Sequence, residues 1–369
     1  MRSSILIPLV AASFGVAQNV NSTYVTGLVN ALNGWGLTSL TSGLTSLSSD
    51  PTTQALLARL PNGTRTIFAP NNAALAAAGG APFNGSTLAY HILSGTFTAN
   101  NIAKDPAHTI GRTFLNGSLV QLEGNEPQVL ALQGSNTTLF ACNQPNTTSI
   151  LESNVYQNLV VHTIDNVLVI PQTPAVLLGL SNFSSLASVA GPALPAIEAA
   201  HGITIFAPTN DAFTAAQSSL GGANSSTVTN ILENHIINGT ALYSSEFGSG
   251  THVSNGGQQL TFNTNSSGTF VTSGPSTAQV ITSDVLMSNG VVHVINGVLL
   301  NSNFNPTAAS SAYAAATSSA GTSGVAPTNT GPIAGSGGNN GGHNGAIGVN
   351  PVSALFAFVG VAAGALFVL

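Results

Sequence analysis

Apolar positions change period along this chain, and each change marks an element. Tyr24, Leu28, Val29, Leu32 and Trp35 recur at steps of three and four, the spacing of an amphipathic helix. Leu37, Leu40, Leu44 and Leu47 carry the same step onward. Asp50-Pro51 opens a further helix, with Asp50 as cap and Pro51 in the first turn, over Ala55, Leu56, Leu57 and Leu60. Pro61-Asn62-Gly63 is a turn, and the period then shortens to two. Thr66-Ile67-Phe68-Ala69-Pro70 reads as a buried strand that stops at the proline, with Asn71-Asn72 starting a helix. Tyr90 to Thr96 predicts a short helix ending at Gly95. From Thr109 to Leu139, short apolar runs broken by Asn116-Gly117, Gly124-Asn125 and Gly134-Ser135 predict hairpins. Asn158 to Ile170 predicts a long buried strand interrupted by the polar His162 and Asp165.

The plan then repeats. Val176, Leu177, Leu180, Phe183, Leu186, Val189, Leu194 and Ile197 give helical steps before Ile203, and Gly202 to Phe213 restates the strand-to-helix corner about 138 residues after the first. In this copy Pro208 ends the strand, Thr209 or Asn210 caps the helix, and Asp211 sits in the first turn, where the helix dipole favours negative charge. Asn234-His235-Ile236 matches Tyr90-His91-Ile92, and Val291-Val292-His293 matches Val160-Val161-His162. A period this long means duplicated domains, not a solenoid.

The two ends carry different signals. Residues 1–17, with Arg2 and an apolar run from Ile5 to Val16, read as a secretory signal peptide cleaved before Gln18, with Gly15 and Ala17 as the small residues of the site. A buried N-terminal helix is the plainer reading of the same run. Residues 341–369 end in a charge-free apolar tail from Val352 to Leu369, behind a polar spacer and the small residues Asn340, Gly341 and Gly342. That is the form of a glycolipid (GPI) attachment signal, with the lipid on Asn340 and Ser336 or Asn344 as alternatives. A tail-anchored single span is the competing reading, disfavoured by the absence of a basic flank. Residues 304–340, rich in Ser, Thr, Gly, Asn and Ala, read as a flexible stalk. Residues 18–171 and 172–303 remain as the two domains.

Composition narrows the class. Of 369 residues only 4% are charged, and the formal net charge is −6. Solubility therefore needs another source, and the sequons at Asn21, Asn62, Asn84, Asn116, Asn136, Asn146, Asn182, Asn224, Asn238 and Asn265 supply one: a glycan-covered surface. Beyond the signal peptide the basic residues are Arg59, Arg65, Lys104 and Arg112, too few for nucleic acid. Cys142 is the single cysteine, so no internal disulfide forms and the domains hold by packing.

The two corners and the two terminal strands together resemble the fasciclin domain family. Thr66 to Pro70 with Thr204 to Phe213, Val160 to Asp165 with Val291 to Asn296, and Tyr90-His91-Ile92 with Asn234-His235-Ile236 carry the resemblance over roughly residues 20 to 302. The first copy has Ala73 and Leu75 where the second has Asp211 and Phe213, which predicts a less tightly capped corner. The resemblance implies an α+β fold, two tandem wedge-shaped β-sandwiches flanked by helices, and a role in cell adhesion or matrix association. It also implies adhesion contacts at Tyr90, His91, Asn234 and His235, and at Asn72 or Asp211.

Other chemistry is weak. Histidines set between valines, such as His162 and His293, are more often core groups satisfied by hydrogen bonds than ligands, and the same holds for His91 and His235. Neither pair has metal-site spacing, and no cofactor is expected. Glu123 and Glu126 flank a turn instead of a cleft, and no nucleophile elbow or phosphate loop is present. The reading is a non-enzymatic surface glycoprotein. Its expected partners are surface or matrix proteins and glycans, the membrane through its lipid, and other copies by weak self-association. It is expected on the extracellular face of the plasma membrane or in the cell wall. The alternative is an extracellular carrier of a lipid or small apolar ligand, and a secreted hydrolase comes last.

Overall fold

The structure is a computed structural model describing residues 21–79, 83–135, 139–142, 148–180, 183–248 and 251–322. The signal-peptide and lipid-attachment readings, Asn340 included, lie outside these residues. So do the sequons at Asn136, Asn146 and Asn182.

The chain divides into two compact units. In the first, helices α1 (Ser22–Gly34), α2 (Thr38–Ser46), α3 (Pro51–Arg59), α4 (Asn72–Ala77) and α5 (Gly85–Tyr90) accompany strands β1 (Arg65–Pro70), β2 (Ile92–Ser94), β3 (Thr109–Arg112), β4 (Val129–Gly134), β5 (Leu139–Ala141), β6 (Thr148–Tyr156) and β7 (Leu159–Ile164). The seven strands form one sheet in the order β2-β1-β7-β6-β5-β4-β3. β1 and β7 are the parallel pair, with Phe68 beside His162, and the other pairings are antiparallel. A bridge from Leu93 to Thr113 brings the two ends of the sheet order together.

The second unit repeats this with α6 (Pro174–Leu178), α7 (Ser184–Ala190), α8 (Leu194–Ala199), α9 (Asn210–Leu220) and α10 (Ser225–Glu233). Its strands are β8 (Ile203–Pro208), β9 (Ile236–Asn238), β10 (His252–Val253), β11 (Gln259–Asn265), β12 (Gly268–Ser273), β13 (Ser276–Met287) and β14 (Gly290–Ile295), in the order β10-β11-β12-β13-β14-β8-β9. The expected α+β architecture is present in each unit.

Local chemistry sets the helix starts. Asp50 Oδ2 accepts from the Thr53 N–H at 2.7 Å and from its hydroxyl at 2.8 Å, and Pro51 takes the first-turn position. Asp50→Ala removes both bonds and is expected to lower the stability of the first unit by about 1 kcal/mol, read from urea unfolding. At the two corners Asn71 and Thr209 are the caps, with bonds of 2.7 Å to Ala74 N and 3.2 Å to Ala212 N. The first corner is therefore not the more loosely capped one. Its difference is length, because α4 has 6 residues and α9 has 11.

The structure departs from the sequence reading in four places. The short helix ends at Tyr90, not Gly95, because Ile92 and Leu93 pair with Ile67 and Thr66 as an edge strand. The long strand stops at Ile164, and Asp165 turns to accept from the Ser149 N–H. Asn116–Glu126 forms no hairpin and belongs to the second unit, where Gln121 donates to Ser288 O and Gly202 donates to Gln121 O. Finally, Pro306–Thr322 is a helix, α11, where a flexible stalk was expected. Ala308, Ala312, Ala316 and Ala320 recur at steps of four on it, Asn305 caps it, and a side chain at Gly239 would meet Tyr313 at 3.1 Å. Alanine's high helix propensity offsets the Ser and Thr content.

Candidate functional site

The duplicated motifs converge on one loop in each unit, the loop after the edge strand. In the first unit the Thr66 hydroxyl donates to Gly95 O and accepts from the Phe97 N–H, both at 2.9 Å. His162 takes the other main-chain group of Phe97: its Nε2 donates to Phe97 O at 2.8 Å, and its Nδ1 accepts from the Ser153 hydroxyl at 2.7 Å. In the second unit the Thr204 hydroxyl donates to Thr240 O and accepts from the Leu242 N–H, both at 2.8 Å. His293 Nε2 donates to Leu242 O at 2.8 Å. Phe68 and Phe206 pack beside these imidazoles, with ring centroids 5.3 and 5.5 Å away. One buried residue per unit thus has both backbone groups satisfied by a motif threonine and a motif histidine, as a buried main chain requires.

The other two histidines do the same for the segment after the last strand. His91 Nδ1 donates to Thr87 O at 2.7 Å and its Nε2 accepts from the Leu168 N–H at 3.0 Å. His235 Nδ1 donates to Ile231 O at 2.7 Å and its Nε2 accepts from the Leu299 N–H at 2.9 Å. Only a neutral ring with its proton on Nδ1 satisfies both bonds. Burial pushes each of these histidines down to about 4, against the favourable bonds to Thr87 and Ile231. His162 is lowered as well, again chiefly by burial.

The residues expected to contact a partner are therefore placed unevenly. Tyr90, His91, Asn234 and His235 are all interior, each at most 3% exposed. Asn234 is fully bonded, donating to Asn301 O and Asn303 O and accepting from the Ser254 hydroxyl. That placement is the hydrogen-bonded core histidine reading, and a partner reaches these side chains only if the unit opens. Asn72 and Asp211 are exposed. Asn72 staples the start of α2 through Ser39 N, Gly36 O and Thr38 Oγ1, and Asp211 sits in the first turn of α9. The six do not gather into one site.

Among the sequons, Asn21, Asn84 and Asn224 are helix caps whose Oδ1 accepts from Tyr24, Thr87 and Thr227 N–H. An N-glycan attaches through Nδ2, so capping and glycosylation are compatible. Asn62, Asn116 and Asn265 are exposed, and Asn238 is half-buried at the end of β9.

Sequence reasoning missed Glu233. It ends α10, is 5% exposed, accepts from the Asn255 side-chain amide, and is pushed up to about 7 by burial. It lines a cavity of about 20 Å³ among Leu178, Leu186, Ile197 and Leu232, room on the order of one water molecule and not a lipid. The signal was present as an acidic residue directly after Ile231 and Leu232, at the position where the first copy has Ala89. Among the described residues no three His, Cys, Asp or Glu side chains gather to hold a metal.

Comparison with known proteins identifies the duplicated frame. The Fasciclin domain matches twice, over residues 42–171 and 178–301. The chain belongs to the fasciclin family. A fasciclin-like arabinogalactan protein of Arthroderma benhamiae is 27% identical over 221 residues, covering 58% of this chain and 50% of that protein. Protein sll1483 of Synechocystis is 36% identical over 132 residues, covering 34% of this chain and 71% of the relative. The fasciclin-like arabinogalactan protein elcF of Phaeosphaeria nodorum is 29% identical over 145 residues, covering 38% of this chain and 45% of the relative. This fasciclin chain thus spans about half the length of the two arabinogalactan relatives it matches. Among solved structures, a FAS1 domain pair from the insect cell adhesion molecule Fasciclin I aligns at 16% identity with a TM-score of 0.34, over 76% of this chain and 98% of that one. The duplicated Thr-Ile-Phe-Ala-Pro corner and the His-bearing strand of each fasciclin domain are backbone clamps.

Proposed function

We propose that this fasciclin protein is a lipid-anchored glycoprotein of the outer cell surface, acting in adhesion or in cell-wall and matrix association without catalysis. The observation that carries the reading is the tandem pair of fasciclin domains, framed in the sequence by an N-terminal signal and a C-terminal attachment signal. Two relatives are fasciclin-like arabinogalactan proteins, which supports the same setting. Two domains on one chain let two weak contacts act together through raised effective concentration. Surface or matrix proteins and glycans are the partners, with weak self-association between copies included. The lipid sits on Asn340, and the domains face outward from the plasma membrane or pass to the wall.

The test uses intact cells displaying the full chain, treated with a phosphatidylinositol-specific phospholipase. The expected result is release of a protein whose apparent mass falls after N-glycan removal, together with loss of attachment to like cells or to isolated wall material. Retention after phospholipase with full detergent extraction would replace the lipid with a membrane span, and attachment unchanged after release would remove the adhesive role.

A further inference from the structure

Two of the five basic residues of the chain stand over a single ring. The guanidinium carbon of Arg59, in the last turn of α3, lies 4.5 Å from the Phe114 ring centroid. That of Arg65, at the start of β1, lies 5.0 Å from it. Cation–π attraction holds each in place. The charges also oppose one another: Arg65 is lowered from its ordinary value, first by burial and then by the neighbouring charge of Arg59.

No carboxylate offsets that repulsion. Among the described residues, Arg59 has no side-chain hydrogen bond and Arg65 has one, from Nη1 to Thr64 O at 2.6 Å, while its buried Nε has no acceptor. Gly63, at φ +75°, turns the chain so that this guanidinium folds back over the turn, where a Cβ would stand 2.9 Å from Nη1. The chain carries eleven acidic residues and pairs none of them here.

The fold does not need this arrangement. In the second unit Ile203 holds the register place of Arg65, pairing with Asn238 as Arg65 pairs with Ser94. Asn255 holds the place of Phe114, its N–H donating to Ile236 O as that of Phe114 donates to Ile92 O. The same sheet thus forms without the cations or the ring.

We infer that Arg59 and Arg65 form a binding site for the carboxylate or sulfate groups of an acidic polysaccharide. The Nη donors of two guanidiniums fit a planar or tetrahedral oxyanion bidentately, and contact with the Phe114 ring restrains both beforehand. Phe114 is only 7% exposed, so the site offers charge and N–H donors without the exposed apolar anchor that protein interfaces use. A polymer with repeated anionic groups makes up for that by presenting many equivalent charges. The inference rests on the surface-glycoprotein reading for its setting, and names a partner class within it.

Affinity electrophoresis of the full chain in gels containing polygalacturonate tests it, with uncharged dextran as the control polymer. Retardation is expected in polygalacturonate and not in dextran, and it should vanish in about 1 M salt. The double variant Arg59→Gln/Arg65→Gln should weaken binding about tenfold or more, as expected for loss of charge-assisted bidentate bonds. Arg65→Lys, which keeps the charge and loses the fork, should fall between, and exposed Lys104→Gln should change nothing. Urea unfolding of each variant confirms that it is folded.

Equal retardation of the double variant overturns the site, and so does an equal loss in Lys104→Gln. If inorganic sulfate protects the site as well as the polymer does, the ligand is a free anion and the polysaccharide assignment fails. If Asn62→Gln abolishes retardation, the contact belongs to the chain's own glycan, which also overturns it. Cells that still attach to walls through the double variant would remove this site and leave the adhesive reading standing. Failure of attachment in the wild type would remove that reading instead.

Discussion

Gly290→Ala should unfold the second unit at ordinary temperature or come close to it. Gly290 opens β14 and pairs in parallel with Ile203 of β8. A Cβ added there would fall inside the Ile203 carbonyl, with its carbonyl carbon and amide nitrogen both at 2.8 Å. The obstacle is backbone of the parallel strand pair, so no side-chain rotation relieves it. The choice is between a shifted β14 and a broken ladder. A shift would carry His293 away from Leu242 O and Val292 away from the β8 core, so the cost extends through the clamp. We expect a loss of about 3 kcal/mol or more, at the upper end for overpacking. Gly222→Ala is the control, since nothing lies within 4 Å of its Cβ and its φ is not in the left-handed region. Hydrogen exchange resolved by peptide is the measurement, because the two units need not unfold as one transition. Protection should collapse across β8, β9 and β14 in Gly290→Ala and stay unchanged in Gly222→Ala. Wild-type protection in Gly290→Ala would show that the parallel pair accommodates the methyl group.

What could be read from the sequence was what local chemistry decides. Asp50-Pro51 and Thr209 announce helix starts because a cap and the N–H that donates to it lie three residues apart. The corner strands were legible because Thr-Ile-Phe-Ala-Pro carries its own stop. Their duplication also exposed the domain plan. Features decided at long range were not legible. Ile92 and Leu93 look like the end of a helix until Thr66 and Ile67 are placed beside them. Asn116-Gly117 carries a strong hairpin signal, yet the segment behind it is bonded to Gly202 and Ser288 of the second unit. α11 was hidden by its Ser and Thr content, although its alanines recur at every fourth position.

The candidate site divides in the same way. Spacing marked all four motif histidines but could not say what they do, since their acceptors are main-chain carbonyls with no sequence signature. Two readings therefore stood side by side, contact residue and core residue, and the placement of His91 and His235 inside the units fits the second. The Arg59–Arg65–Phe114 cluster was invisible because its members come from a helix end, a strand start and a distant loop.

Glu233→Gln should change how the second unit responds to pH, and the direction follows from two groups in contact with one cavity. Glu233 is held at about 7 in the folded unit against an ordinary 4.5, chiefly by burial, so the folded state keeps the proton longer. Its contribution to stability is complete below about pH 4.5 and is lost as pH rises through about 7. Above that, the buried carboxylate costs on the order of 3 kcal/mol, which the bond from the Asn255 amide partly relieves. His235 runs the other way. Held at about 4 against an ordinary 6.5, it contributes stability above pH 6.5 and loses it as pH falls through about 4. Among the described residues, the rest of the cavity lining, from α6, α7, α8, the turn between α7 and α8, α10, β8 and β9, is Leu, Ala and Ile and brings no further charge. Between about pH 4 and 7 the two slopes therefore oppose each other, and the wild-type second unit should be nearly level there. In the first unit Ala89 occupies the Glu233 position while His91 is also held at about 4, so that unit should weaken steadily in acid. Replacing Glu233 by Gln keeps an acceptor for Asn255 and removes the charge. The variant should be more stable than wild type at pH 8 by on the order of 3 kcal/mol, equal to it near pH 4, and acid-sensitive in the manner of the first unit. Urea unfolding at a series of pH values, followed by far-ultraviolet circular dichroism, reads all three. Parallel pH profiles for variant and wild type would mean that Glu233 titrates near its ordinary value and is hydrated in the folded protein.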